Sequence, residues 1–292
     1  SVYGILGSYL PLRRENMATK KAASTKKGSR TAKHSVVVTP ETTVKTVSSA
    51  TAKQSFGEHV ETALQSPSLW RALAAEFIGT FLLAAVVIAG QGQPIFMLFA
   101  LVGIVLFIGS ISGAHVNPAI TIGAWATRRI GWLRAIGYLF VQFLGAAVAF
   151  FTLQAFIGGA PAVTETQQAY GQNAPILFQA LDTSTIAGPE WYVFFSELLG
   201  TAILGFAIAN ASRVKDSLTA SFTAGFGLFI ALMIAVTIGG FVAASAIINP
   251  AVALALQAYD PNGWTYIIYA LAPVIGGVLG FVLYDLVRGK KA

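Results

Sequence analysis

The chain has 292 residues, of which 55% are hydrophobic and only 11% charged, with a mean hydropathy of +0.68. A soluble globular domain carries about 25% charged residues, so this composition excludes an ordinary soluble protein and marks a membrane protein. The absence of cysteine excludes disulfides, thiolate metal sites and cysteine nucleophiles.

The formal net charge of +7 is placed unevenly, since ten of the 19 Lys and Arg residues lie in 1–69. That stretch, with "MATKKAASTKKGSRTAKHS" inside it, combines low hydrophobicity with high charge and reads as a disordered basic tail. A secretory leader needs an apolar core of about 7–15 residues after its basic region, and none follows before Trp70. The tail is expected to be a solvated cytoplasmic arm attracted to anionic lipid, with no nucleic-acid partner. A short helix is expected within 54–69, lying on the cytoplasmic face.

Six segments are apolar enough for membrane helices, which need about 20 residues each: 70–90, 94–112, 132–157, 191–211, 218–238 and 265–287. Arg128, Arg129 and Arg134 lie between the second and third, Arg213 and Lys215 between the fourth and fifth, and Arg288, Lys290 and Lys291 after the sixth. The loops on the other side hold no Lys or Arg, only Glu165, Asp182, Glu190 and Asp260. The positive-inside rule then puts both termini in the cytoplasm. The expected domains are the tail at 1–69, a channel domain at 70–288 and a short cytoplasmic end at 289–292.

The two halves of the channel domain resemble each other. "AAEFIGTFLLA" opens the first span and "FSELLGTAILG" the fourth, and each half carries one Asn-Pro-Ala, at 117–119 and 249–251. Three spans per half force the second copy, about 191–287, to lie inverted relative to the first, about 70–157. The first triplet runs into "TRR" and the second into the acidic turn "YDPNG", so one enters from each face. Proline favours the first helical turn and asparagine is a favoured N-cap. Each triplet is therefore expected to start a half-helix of about ten apolar residues whose N-terminus points to the midplane. Irregular backbone at that depth is tolerated where it is buried in protein or lines a wet cavity. Two facing positive ends, about +0.5 charge each, and two Asn amides would hold a water oxygen-inward. That breaks a proton wire and repels cations.

The paired triplets, "ISGAHVNPAITIG", the "AEFIGTF" opening and the inverted halves resemble the aquaporins, members of the major intrinsic protein family. The resemblance covers about residues 70–288. It implies an all-α membrane fold of six transmembrane helices plus two re-entrant half-helices in an inverted repeat. It also implies a homotetramer with one pore in each protomer, set in the cell membrane. By the same resemblance Asn117 and Asn249, with Pro118, Ala119, Pro250 and Ala251, form the pore centre. Glu76 and Glu197 resemble glutamates that brace the re-entrant loops by accepting backbone N–H bonds, His115 resembles the loop histidine and Gln142 the polar residue of the third span.

One position departs from the family. Most members carry Arg directly after the second triplet, where it narrows the outer pore and donates hydrogen bonds; here the residue is Val252. The next basic residue downstream is Arg288 and the previous one Lys215, so no small slip restores it. Counting back from the Asn anchors puts the other constriction positions at Met97, Thr237 and Ala246. The expected aperture is three apolar side chains and one hydroxyl, wider and greasier than that of a water-only channel. It should pass glycerol, urea or ammonia as well as water.

The function read from the sequence is a passive channel for water, for small neutral solutes, or for both. An ion-coupled secondary transporter and a non-conducting structural protein on the same fold stay open as alternatives, which flux without an ion gradient would separate from the first. Coupling needs ionisable groups on the path, and the spans offer Glu76, Glu197 and, near an end, Asp285. No enzyme is expected, and no cofactor or metal: His34, His59 and His115 are scattered, and no phosphate-loop spacing occurs. The loop at 158–190 is long and expected on the outer face.

Overall fold

The computed structural model describes residues 56–157, 164, 166, 188–261 and 263–289. Helix α1 (Phe56–Leu64) precedes α2 (Pro67–Ala89), α3 (Pro94–Ser112), the half-helix α4 (Pro118–Ala126) and α5 (Trp132–Ile157). The second half holds α6 (Pro189–Ala211), α7 (Ser217–Gly240) and the half-helix α8 (Pro250–Ala255). It ends in α9 (Gly263–Tyr266), which runs through a π turn (Ile267–Leu271) into α10 (Ala272–Arg288). Among the described residues six helices are long and apolar enough to cross a membrane: α2, α3, α5, α6, α7 and the continuous α9–π–α10 rod.

Local sequence explains the starts. Proline occupies the first turn of α2, α3, α4, α6 and α8, where its missing N–H is no loss. Asp216 caps α7, accepting from the Thr219 amide at 2.7 Å and its hydroxyl at 2.6 Å. These bonds, the hydroxyl's first, hold the exposed Asp216 carboxyl below the usual carboxylate range. The short helix expected within 54–69 is α1, and the first turn of α2 also falls within 1–69. Trp70 ties the two together, its indole N–H donating to Leu64 O at 2.7 Å. The rest of that tail, most of the 158–190 loop with Glu165 and Asp182, and residues 290–292 lie outside the described residues.

The packing follows the inverted repeat. In the first half α2 packs on α3 and α5, and in the second α6 packs on α7 and α10. The halves join where α3 meets α7. Each half-helix also reaches across, α4 lying on α10 and α8 on α5. Phe107, Phe140, Phe151 and Phe156 are all about 70% exposed, as lipid-facing side chains are in an isolated copy. Trp191 meets Trp264 edge-on at 5.7 Å, a pairing suited to an interfacial belt.

Without a hydrophobic drive in lipid, helices associate by close packing of small residues. Gly277 of α10 sits where α4, α6 and α10 converge. A Cβ there would lie 2.6 Å from Ala119 O, two residues past Asn117, while Gly205 of α6 presses on Gly277 O from the other side. Overpacking against rigid backbone costs about 1–3 kcal/mol. Gly277→Ala should therefore lower the detergent melting temperature by several degrees and reduce flux, because α4 must shift. Gly103→Ala, whose Cβ would meet only Phe107 at 3.8 Å, should leave both unchanged.

Candidate functional site

Two re-entrant segments meet at the centre with matching geometry. Asn117 caps α4 at φ −155°, ψ 120°, and Asn249 caps α8 at φ −149°, ψ 108°. Each side-chain oxygen accepts from its own helix N-terminus, Asn117 from Ala119 N at 2.9 Å and Asn249 from Ala251 N at 3.0 Å. Each amide nitrogen donates to the opposite segment, Asn117 to Ile248 O at 2.9 Å and Asn249 to Val116 O at 3.0 Å. A primary amide has two N–H donors. One N–H of each Asn is thus spent on holding the two halves together, and the second remains.

The residues before the caps make this exchange feasible. Val116 and Ile248 adopt left-handed backbone, φ 43° and 52°, which is unfavourable for β-branched side chains and costs about 1–3 kcal/mol where it occurs. Glutamates hold them there. Glu76 accepts from His115 N at 2.9 Å and Val116 N at 2.7 Å; Glu197 accepts from Ile247 N and, at 2.7 Å, from Ile248 N. Both glutamates are fully buried. In each half the carboxylate therefore takes the two amides before the Asn, and the carbonyl that follows them, of Val116 or Ile248, accepts from the other half's Asn.

The first half carries an added polar chain. Gln142 donates to Glu76 at 2.9 Å and to Thr121 Oγ1 at 2.9 Å, and His115 Nδ1 lies 3.2 Å from the same hydroxyl. Tyr138 bonds Ser112 O at 2.7 Å and meets the His115 ring edge-on at 5.4 Å. The second half uses tyrosines instead: Tyr269 donates to Ser245 O at 3.1 Å, and Tyr259 lies within hydrogen-bond reach of Pro250 O, also at 3.1 Å.

A cavity of about 440 Å³ descends from the α2–α3 turn to the two Asn residues. Gln91 and Gln93 stand at its mouth, and His115, Asn117 and Asn249 line its floor. Met97, Ala246 and Val252 also line this cavity. Thr237 does not line it. Its hydroxyl donates to Met233 O at 2.7 Å and the residue is exposed. Its neighbour Val236 lines the cavity instead, in the row Leu228, Leu232, Val236 and Gly240 that recurs every fourth residue. A fixed count from Asn249 misses this because a one-residue slip turns a helical side chain by about 100°, and the 241–248 connection carries its own left-handed residue at Ala243, φ 53°. Among the described residues no Lys or Arg lines the cavity.

Among the described residues no group of His, Cys, Asp or Glu could hold a metal. Beyond Val236, sequence reasoning missed the Val116 and Ile248 carbonyls and the bridging hydroxyl of Thr121. A β-branched residue before each Asn-Pro-Ala is visible in the chain, but nothing in its type signals left-handed backbone.

The family model described as Major intrinsic protein matches residues 63–284. Aquaporin NIP3-1 of Oryza sativa subsp. japonica is 31% identical over 83% of this chain and 76% of its own length. Aquaporin AqpM of Methanothermobacter thermautotrophicus is 30% identical over 66% of this chain and 74% of its own. The aquaglyceroporin from Plasmodium falciparum superposes with a TM-score of 0.58 at 23% identity, covering 75% of this chain and 97% of that structure.

Proposed function

The chain belongs to the major intrinsic protein family, whose members are passive channels for water or small solutes, and on that premise we propose a pore between α4 and α8 that admits small neutral solutes as well as water. The observation that supports this reading is the cavity lining: Met97, Val236, Ala246 and Val252 line it together with Asn117 and Asn249, and among the described residues no Lys, Arg, Asp or Glu does. A solute that gives up water there receives few donors in return, each worth about 0.5–1.5 kcal/mol. Aperture size then selects more strongly than hydrogen bonding, and glycerol, urea and ammonia are the permeants this wall suits.

At the floor, the remaining N–H of each Asn donates to the oxygen of a passing water. Together with the positive ends of α4 and α8, this turns neighbouring waters in opposite senses and interrupts proton transfer. Glu76 and Glu197 act as braces, with two loop N–H groups bound to each, which leaves neither placed as a coupling group for an ion-driven transporter. The permeating unit is one protomer of a homotetramer in the cell membrane, with both termini and the Arg-bearing end on the cytoplasmic side.

The chain's lack of cysteine makes the test direct. Flux through the wild type should resist mercurials. Val236→Cys should become mercurial-sensitive and Thr237→Cys should not, as read by stopped-flow light scattering on proteoliposomes. Block at 237 and none at 236 would place the pore wall on the wrong face of α7.

A further inference from the structure

The end of α10 gathers charge that the pore does not use. Asp285 is held bidentately by Arg129 at 2.8 and 3.1 Å, and Arg213 of the α6–α7 loop approaches it at 3.5 Å. The Arg129 guanidinium is also seated over the Phe281 ring, 4.8 Å from its centroid. One carboxylate thus faces more than one guanidinium. A second cavity, of about 400 Å³, opens beside this cluster, lined by Arg213, Arg288, Asp285, Val282, Leu286 and Gly289. Among the described residues Arg288 has no ion-pair partner. Leu286 and Val287 beside it are 71% and 76% exposed.

We infer that this cavity is a binding site for the headgroup of an anionic phospholipid, the phosphate lying between Arg213 and Arg288 and an acyl chain running along Val282 and Leu286. Guanidinium pairs with phosphate bidentately, and basic pockets beside the ends of transmembrane helices recognise lipid headgroups. The argument for a lipid over free phosphate is the wall. Two arginines share the cavity with the exposed apolar side chains of Val282 and Leu286, so headgroup and chain are satisfied together. The surplus of positive charge around Asp285 selects an anionic lipid over a zwitterionic one. Arg213 also contacts Asp285, which anchors Arg129 just beyond α4, so an occupant of this site touches the group that fixes one half-helix.

The test is native mass spectrometry of the full-length protein from mixed micelles containing phosphatidylglycerol and phosphatidylcholine. The wild type should retain phosphatidylglycerol preferentially, and Arg213→Gln/Arg288→Gln should lose roughly tenfold in retention, in line with two basic groups near the headgroup. Arg71→Gln, a change of charge on exposed α2 surface, should lose none. Should Arg213→Gln misfold through its contact with Asp285, Arg288→Gln alone carries the comparison. Equal loss in Arg71→Gln would reduce the effect to general surface charge and overturn the site. Displacement of the lipid by millimolar inorganic phosphate would overturn the lipid assignment, as would equal retention of both lipids.

Discussion

Glu197→Leu should yield almost no monodisperse protein after detergent extraction, while Glu197→Gln should fold with a lowered melting temperature. The carboxylate accepts from the amides of Ile247 and Ile248, and the site is fully buried. Leucine leaves both N–H groups without an acceptor, at about 1–3 kcal/mol each. It also releases Ile248 from a left-handed conformation that its side chain disfavours. Glutamine keeps one accepting oxygen and so forfeits about half of that. Loss of Ile248's placement removes the acceptor of Asn117 as well, so the damage crosses from one half to the other. Size-exclusion profiles and thermal unfolding of the two variants check the order. Wild-type behaviour in Glu197→Leu would show that the loop holds its shape without the brace.

Val252→Arg should cut glycerol and urea flux by roughly tenfold or more, which needs a barrier only about 1.4 kcal/mol higher, and should reduce water flux less. Val252 is fixed in the first turn of α8 with its N–H 3.3 Å from Asn249 Oδ1, and it lines the cavity with Met97, Val236 and Ala246. A guanidinium placed there faces three apolar side chains. It therefore projects into the opening, where it narrows the path and adds a fixed positive charge and donors. Water, the smallest permeant and one that can use those donors, is affected least. Unequal losses for water and glycerol in one preparation separate a changed aperture from a general loss of folded protein. Val252→Ala, which adds neither bulk nor charge, should keep solute flux.

Much of this architecture was legible in the chain because membrane helices announce themselves by length and apolarity. The second and third spans, 94–112 and 132–157, match α3 and α5 end to end, since Pro94 and the Arg-Arg-Ile-Gly turn before Trp132 punctuate them. The half-helices were legible from Asn-Pro-Ala, where capping chemistry and ring constraint coincide. Their lengths were less so. About ten residues were expected of each, but α8 stops after six, its chain turning at Gln257 with φ 58°. The braces at Glu76 and Glu197 were suggested by resemblance, yet their register on the two amides before each Asn depends on the left-handed turns at Val116 and Ile248, which side-chain type argues against. The count back from Asn249 reaches Thr237 while its neighbour Val236 lines the cavity, because a helix face is sensitive to a single residue. The ion cluster at Asp285 joins residues 156 apart and had no local signature.

The measurement that tests the central claim most directly is stopped-flow flux through the wild-type protein in liposomes, with osmotic water, glycerol, urea and ammonia compared in one preparation. An apolar constriction without arginine predicts solute flux well above empty liposomes alongside water flux. Rapid water flux with glycerol, urea and ammonia at the level of empty liposomes would contradict it, and would mean that Met97 closes the space that the missing arginine leaves.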